Sequence, residues 1–236
     1  MSNGLEGVIA AETALSDVDG AAGRLVIRGR MVEDLAKNAS FAEVVHLLLD
    51  GLFDDLPPPA ALASALGHSR AEVFAEVSAL DATLLALAPT EAARALIARL
   101  DDGGDLAAAL RLIAAPAVFT PAILRARRGA TPVPPNANAG HGEDILRMLT
   151  GAPVSAARAA AIETYLVTVC DHGLNASTFA ARVVASTGAG LTSAALAGLS
   201  ALIGPLHGGA PGPVIEMLDA IGEIGHAQDW LEAALA

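Results

Sequence analysis

Two histidines stand where this chain could put an imidazole to chemical use. His207 lies in Gly204-Pro205-Leu206-His207-Gly208-Gly209-Ala210. Gly204 can end a helix in the left-handed conformation, and Pro205 prevents the helix from resuming. Gly208 and Gly209 let backbone or substrate come close, because neither has a Cβ. A histidine on such a turn is held rigidly at the mouth of a pocket, where it can donate a hydrogen bond or exchange a proton near neutrality. His172 lies in Cys170-Asp171-His172-Gly173-Leu174-Asn175-Ala176-Ser177, between a helix end and the N-cap of the next helix. The free N–H groups and positive dipole end of that helix suit a carboxylate. The same place suits a histidine that only caps helix carbonyls.

The other candidates carry less. Cys170 beside His172 reads as a buried core thiol rather than a nucleophile. Gly188-Ala189-Gly190 starts a dinucleotide-like pattern, but Ser193 stands where its third Gly belongs and no strand precedes it. His46, His68, His141 and His226 share no spacing and read as solvated or structural. Asp54-Asp55 and Asp101-Asp102 read as solvated loop charges. Arg125, Arg127 and Arg128 read as a solvated helix end that favours the C-terminal dipole. No Cys cluster has zinc-site spacing, so no metal is expected.

The elements that must position these residues are helical. The chain has 236 residues, 53% of them hydrophobic and only 3% aromatic, with many Ala. Ala and Leu favour helix, so the expected class is all-α with close helix contacts. A chain of this length buries about 70% of its unfolded surface. The net charge of −12 argues against nucleic-acid binding, which needs a basic footprint, but a local pocket can still be positive. The single Cys excludes an internal disulfide and suits a reducing cytoplasm. The first residues lack a basic region and a long apolar core, so no signal peptide is expected. Val183 to Leu206 holds no charge, but its Ser, Thr and Gly breakers predict a buried helical pair in a soluble core rather than a membrane span.

Along the chain, residues 7–30 read as an extended lead-in with a hairpin, turning at Asp19-Gly20. Ser40, with Glu43 three residues on, caps a helix to about Asp50. Two or three helices follow between Pro59 and Arg128, broken around Pro89, Asp101–Gly104 and Pro116. Gly129 to Gly142 is a long Pro/Asn/Gly loop. Ser155 caps a helix reaching Cys170, and Asn175 caps another to about Thr187. Thr192 or Ser193 starts a third, ending at Gly204. Pro213 sits in the first turn of a fourth, to Ile221, and a last helix covers Gln228 to Ala236.

These pieces resemble the citrate synthase family. Glu12-Thr13-Ala14-Leu15-Ser16-Asp17-Val18-Asp19-Gly20, Gly23-Arg24-Leu25-Val26-Ile27-Arg28-Gly29 and Val32-Glu33-Asp34-Leu35-Ala36 are similar to its N-terminal region. Asp171 to Arg182 is similar to its substrate-binding His segment, and Gly204 to Ala210 to its catalytic His segment. The blocks occur in the family's order and cover essentially the whole chain. The resemblance implies that residues 1–236 form a multi-helical large domain with a short N-terminal β-hairpin. It also implies a homodimer, and condensation of acetyl-CoA or propionyl-CoA with oxaloacetate. The acyl-CoA is a substrate, and no resident cofactor is implied. His207 would donate a hydrogen bond to the thioester carbonyl, while a carboxylate removes an α-proton. His172 would hold the oxo acid. Asn175 and Ser177 would orient His207.

The family's second catalytic His, in a Gly-x-Gly-His-Arg segment, and its later Asp base and arginines have no match in these residues. Ile224-Gly225-His226-Ala227 lacks the Arg. Arg30-Met31 replaces a usual Tyr-Asp, and Pro211-Gly212-Pro213 follows Ala210 where Asn-Glu is common. The expectation is therefore a subunit lacking its small domain, inactive alone or completed by a complementary chain. The alternative is a non-catalytic dimerising or regulatory module of the same fold.

Overall fold

The computed structural model describes residues 11–208, 211–222 and 224–235. The start of the expected lead-in, the last two residues of the His207 segment and Ala236 lie outside the described residues. β1 (Ser16–Asp19), β2 (Arg24–Ile27) and β3 (Arg30–Met31) form an antiparallel sheet in the order β1-β2-β3. Ser16 pairs with Ile27 and Asp19 with Arg24, so the expected hairpin is present and carries a third short strand. Arg28, at φ 48°, turns the chain out of β2 and donates from its guanidinium to the carbonyls of Leu48 at 3.3 Å and Asp50 at 2.8 Å.

Twelve α-helices follow among the described residues. They are α1 (Val32–Asn38), α2 (Phe41–Leu49), α3 (Pro59–Val73), α4 (Ala82–Ala86), α5 (Pro89–Ile97) and α6 (Leu106–Arg127). Then come α7 (His141–Thr150), α8 (Ala156–Thr168), α9 (Ala176–Ala185), α10 (Leu191–Leu202), α11 (Pro211–Ile221) and α12 (Ala227–Leu235). The all-α class stands. The caps read from sequence at Ser40, Ser155 and Asn175 are in place, and Ser40 and Glu43 form the full capping box.

Pro116 does not break the chain. α6 runs through both Pro116 and Pro121. An interior proline costs a helix about 3 kcal/mol, but α6 is the centre of the molecule. Its Ala114, Ala115, Val118, Phe119, Ala122 and Ile123 are buried against Val73, Leu96 and Met148. Full burial of each large apolar side chain contributes about 1.5–3 kcal/mol, which outweighs the two prolines. Leu106–Arg127 is also the one described helix long and apolar enough to cross a membrane, and most of it is buried inside the protein. Two smaller cores flank it: Ile27, Leu35, Val44 and Val167, and Val45, Leu62, Leu66, Leu106 and Leu110.

The uncharged Val183–Leu206 stretch does form parts of two helices, but the pair is not buried. α9 has no buried residue, and α10 buries only Thr192 and Ala194. Phe179, Val183 and Leu202 are each two-fifths to one-half exposed. Leu196 and Leu199 of α10 pack against the core, but the described residues leave Phe179, Val183 and Leu202 partly open.

The long loop before α7 is held by a buried charge network. Arg70, 1% exposed, donates to Asp144 at 2.8 Å and to the carbonyls of Ala139 at 2.8 Å and Asn136 at 3.3 Å. Asp144 also accepts from the Asn136 N–H at 3.1 Å and from Arg147 at 2.7 Å. His141, among the histidines read as solvated or structural, is structural. Its Nδ1 accepts from Arg70 at 3.1 Å and its ring stacks on Phe41, centroids 4.6 Å apart. Burial first, and then the Arg70 charge, push its pKa down to about 3, against an opposing pull from Asp144. The folded state keeps His141 neutral where the unfolded chain would take up a proton. Stability is therefore present above the ordinary value of 6.5 and is lost as pH falls toward 3. In urea melts at about pH 6.5 and about pH 5, the wild type should lose about 2 kcal/mol more than His141→Gln. Equal losses would remove His141 from the acid sensitivity.

Candidate active site

α9 begins because Asn175 makes it begin. Extended at φ −147°, Asn175 accepts the Thr178 N–H on its Oδ1 at 3.0 Å, and Thr178 Oγ1 accepts the Asn175 N–H at 2.8 Å. Such reciprocal capping satisfies donors that a helix start leaves open. Ser177, in the first turn, donates its hydroxyl to Asn175 Oδ1 at 2.7 Å. The same hydroxyl oxygen stands 3.0 Å from His207 Nε2. The structure thus brings Asn175, Ser177 and His207 into one hydrogen-bonded set, with all three half-buried.

His207 reaches Ser177 because α10 lies against α9 and the chain turns sharply after it. A Cβ on Gly198 of α10 would meet the Ser177 carbonyl at 3.2 Å and Ala181 Cβ at 3.4 Å, so the two backbones touch there. After α10, the His207 N–H donates to Gly204 O at 3.0 Å and the Gly208 N–H to Leu202 O at 2.8 Å. A Cβ on Gly208 would come within 2.1 Å of that same Leu202 oxygen. Glycine is the residue that permits the turn.

The other end of α10 is held by Asp102, a residue whose sequence context predicts only a solvated loop charge. Asp102 is exposed but occupied. Its Oδ1 accepts the N–H of Thr192 at 3.0 Å and of Ser193 at 3.3 Å, and its Oδ2 accepts the Ser193 hydroxyl. The Ser193 hydroxyl is the first cause of its lowered pKa. Asp102 caps a helix distant in sequence, so no local pattern could announce it. Arg125 and Arg127 are corrected likewise. Arg125 donates to Thr131 O at 2.9 Å, and Arg127 to the carbonyls of Leu85 and Leu87.

His172 stands apart from the hydrogen-bonded set. It is exposed, and with Glu12, Thr13, Asp17, Val18 and Leu174 it lines an open groove of about 600 Å³. Its loop is fastened to the hairpin through Asp171, whose Oδ1 accepts the Gly173 N–H at 3.0 Å and the Ser16 hydroxyl. Gly173, at φ +89°, brings the backbone against Val18. Asp171 and Ser16 were missed as site residues. The Asp-x-Gly turn was visible, but its partner is 155 residues away. Cys170 is half-buried against the core of α1, α2 and α8. Burial, and then Asp171, raise its pKa, which leaves it a core thiol and no nucleophile. His226 is exposed on a short 3-10 turn before α12.

The fold and these segments have counterparts. Residues 4–236 match the family described as citrate synthase, C-terminal domain. The chain is 35% identical over 249 residues to the 2-methylcitrate synthase of Mycobacterium tuberculosis, covering 100% of this chain and 62% of that protein. It is 35% identical over 250 residues to the citrate synthase of Haloferax volcanii, covering 100% of this chain and 66% of that one. Among solved structures, citrate synthase from Thermotoga maritima superposes with a TM-score of 0.80 at 28% identity, covering 100% of this chain and 64% of that chain. Citrate synthase from Thermoplasma acidophilum, solved as a ternary complex with carboxymethyl coenzyme A and oxaloacetate, gives a TM-score of 0.78 at 26% identity. That match covers 99% of this chain and 64% of that chain.

The chain belongs to the citrate synthase family. It spans less than two thirds of the length of these relatives. Within the family fold, the start of α9 and the turn after α10 bring Ser177 and His207 together, and the hairpin fastens the His172 loop.

The turn after α10 gives a direct test. Gly208→Ala forces a methyl group against the Leu202 carbonyl, a clash worth about 1–3 kcal/mol. It should lower the urea midpoint and shift the His207 ring resonances as the ring leaves Ser177. Unshifted resonances would show that this turn does not position His207.

Proposed function

We propose that these residues are the large-domain portion of a citrate synthase-type acyltransferase, joining an acyl-CoA to oxaloacetate. The single observation that carries the reading is the hydrogen bond of His207 to Ser177, in a family member whose His172 loop opens on a neighbouring groove. His207 would sit at the thioester carbonyl, where a hydrogen-bond donor stabilises the charge that develops on oxygen as the α-proton leaves. The resulting enol attacks the oxo carbon of the acid held by His172, and hydrolysis of the thioester releases CoA. The acyl-CoA is acetyl-CoA or propionyl-CoA, and both chemistries appear among the names of its relatives. No resident cofactor is required by this scheme. A cytoplasmic setting supplies both substrates.

Residues 1–236 contain no Gly-x-Gly-His-Arg segment. A general base and arginines for the substrate carboxylates would then be supplied from outside these residues, by a complementary polypeptide or further chain. Loss of a single positioned acid–base group typically costs 10² to 10⁴ in rate. Thiol release from acetyl-CoA with oxaloacetate should therefore be absent for the purified 236-residue polypeptide. It should appear when the later segment of the Haloferax volcanii enzyme is supplied in trans or by fusion, and vanish again with His207→Ala. Full turnover by the 236 residues alone would contradict the division of the site. No turnover after completion would favour the second reading, a non-catalytic module of the same fold.

The exposed face of α9 and α10 supports a homodimer. Phe179 at 40% exposure, Val183 at 49% and Leu202 at 41% make an apolar surface, with the exposed Arg182 beside it, that a second copy would cover. Light scattering at micromolar concentration should give twice the chain mass, and Val183→Asp should give the monomer. A monomeric wild type would contradict it.

A further inference from the structure

The hydrogen bonds around Ser177 fix more than the position of His207. The Thr178 N–H can only donate, so the Asn175 side-chain atom it meets at 3.0 Å must be the carbonyl oxygen. That settles which way the Asn175 amide faces. Its Oδ1 is therefore the atom 2.7 Å from Ser177 Oγ. A carbonyl oxygen cannot donate, so the single hydroxyl proton of Ser177 lies on this contact. Ser177 Oγ, its proton spent, can only accept from the ring nitrogen 3.0 Å away. In the neutral imidazole that proton is on Nε2, and Nδ1 carries a lone pair.

We propose that Asn175 sets the tautomer of His207 through Ser177, holding the unliganded site in the Nε2–H form. Asn175 and Ser177 are then positioning residues for a proton as well as for a ring. The consequence for catalysis rests on the functional reading above. A thioester carbonyl meeting the outer nitrogen needs a donor there, and the resting ring offers a lone pair. To donate, the ring must lose its Nε2 proton to water and gain one at Nδ1. Ser177 must turn its hydroxyl from Asn175 to the bared Nε2, while Asn175 Oδ1 keeps the Thr178 N–H. One proton leaves and one arrives, so the charge of the site is unchanged. Asn175 therefore biases the empty site against donation, and an acceptor ligand pulls the Ser177 proton across.

The test reads the ring nitrogens directly, by ¹⁵N–¹H correlation in the full chain at about pH 8.5, above the ordinary histidine range. The wild type should show His207 protonated at Nε2. Asn175→Gly removes the acceptor while leaving a residue that helix starts tolerate. It should move His207 to a majority of Nδ1–H, because Ser177 now donates to Nε2. The double variant Asn175→Gly/Ser177→Ala should return to Nε2–H, since the donor is gone. Ser177→Ala alone leaves the cap intact, so it covers the case in which Asn175→Gly does not fold. It should keep the tautomer but lose the slow exchange of the Nε2 proton.

A wild type protonated at Nδ1 would overturn the proposal. So would an Nε2–H form unaltered by Asn175→Gly, or a Nε2 proton that exchanges equally fast with and without Ser177. These readouts need no turnover. Their failure leaves the condensation reading to its own assay, and failure of that assay leaves the tautomer result standing.

Discussion

Asn175 Oδ1 is shared between the backbone of α9 and the Ser177–His207 pair. It starts α9 by accepting the Thr178 N–H, and it holds Ser177 by accepting its hydroxyl. Because the first bond belongs to the backbone, the second inherits its rigidity. A helix N-cap contributes about 1 kcal/mol to stability, and here the same cap also orients the side chain that meets His207. Three further features bring the His207 turn to that point. Gly198 lets α10 approach α9, Gly208 lets the chain fold back on Leu202, and Asp102 holds the far end of α10.

The rest of the scaffold is stiffened by means that do not touch the site. α6 is a buried axle whose packing overrides two prolines. Arg70 and Asp144 are fully buried charges, each with several hydrogen-bond partners, and this is the condition under which a buried pair is tolerated. They fold the long loop before α7 onto α3, where Gly67 leaves room for the Ala137 carbonyl. The neutral His141 completes that cluster. The hairpin reaches across to fasten the His172 loop through Ser16 and Asp171. The two histidines of the family resemblance are thus carried by separate supports, α10 for one and the hairpin for the other.

What could be read from the sequence divides by distance. The caps at Ser40, Ser155 and Asn175 were legible because donor and acceptor lie within one turn. The order of the His172 and His207 segments was legible from the family resemblance. The break expected at Pro116 was wrong because helix propensity is a local preference and α6 is stabilised by burial that local sequence does not display. The apolar α9–α10 pair was read as buried because composition cannot distinguish a face covered by its own chain from one left open. Asp102 on α10, Arg70 on Asp144 and Ser16 on Asp171 join residues far apart in the chain, where no periodic pattern links the partners. The Ser177 pairing was half legible. Its residue was marked by the resemblance, but its competition between Asn175 and His207 arises only where α10 folds back onto α9.

The most direct measurement is a crystal structure of the protein soaked with oxaloacetate. The expected result is the oxo acid lodged between the His172 loop and His207, with the Ser177 hydroxyl within hydrogen-bond distance of the His207 ring. The contrary result is a His207 ring turned away from Ser177, or oxaloacetate bound away from both histidines.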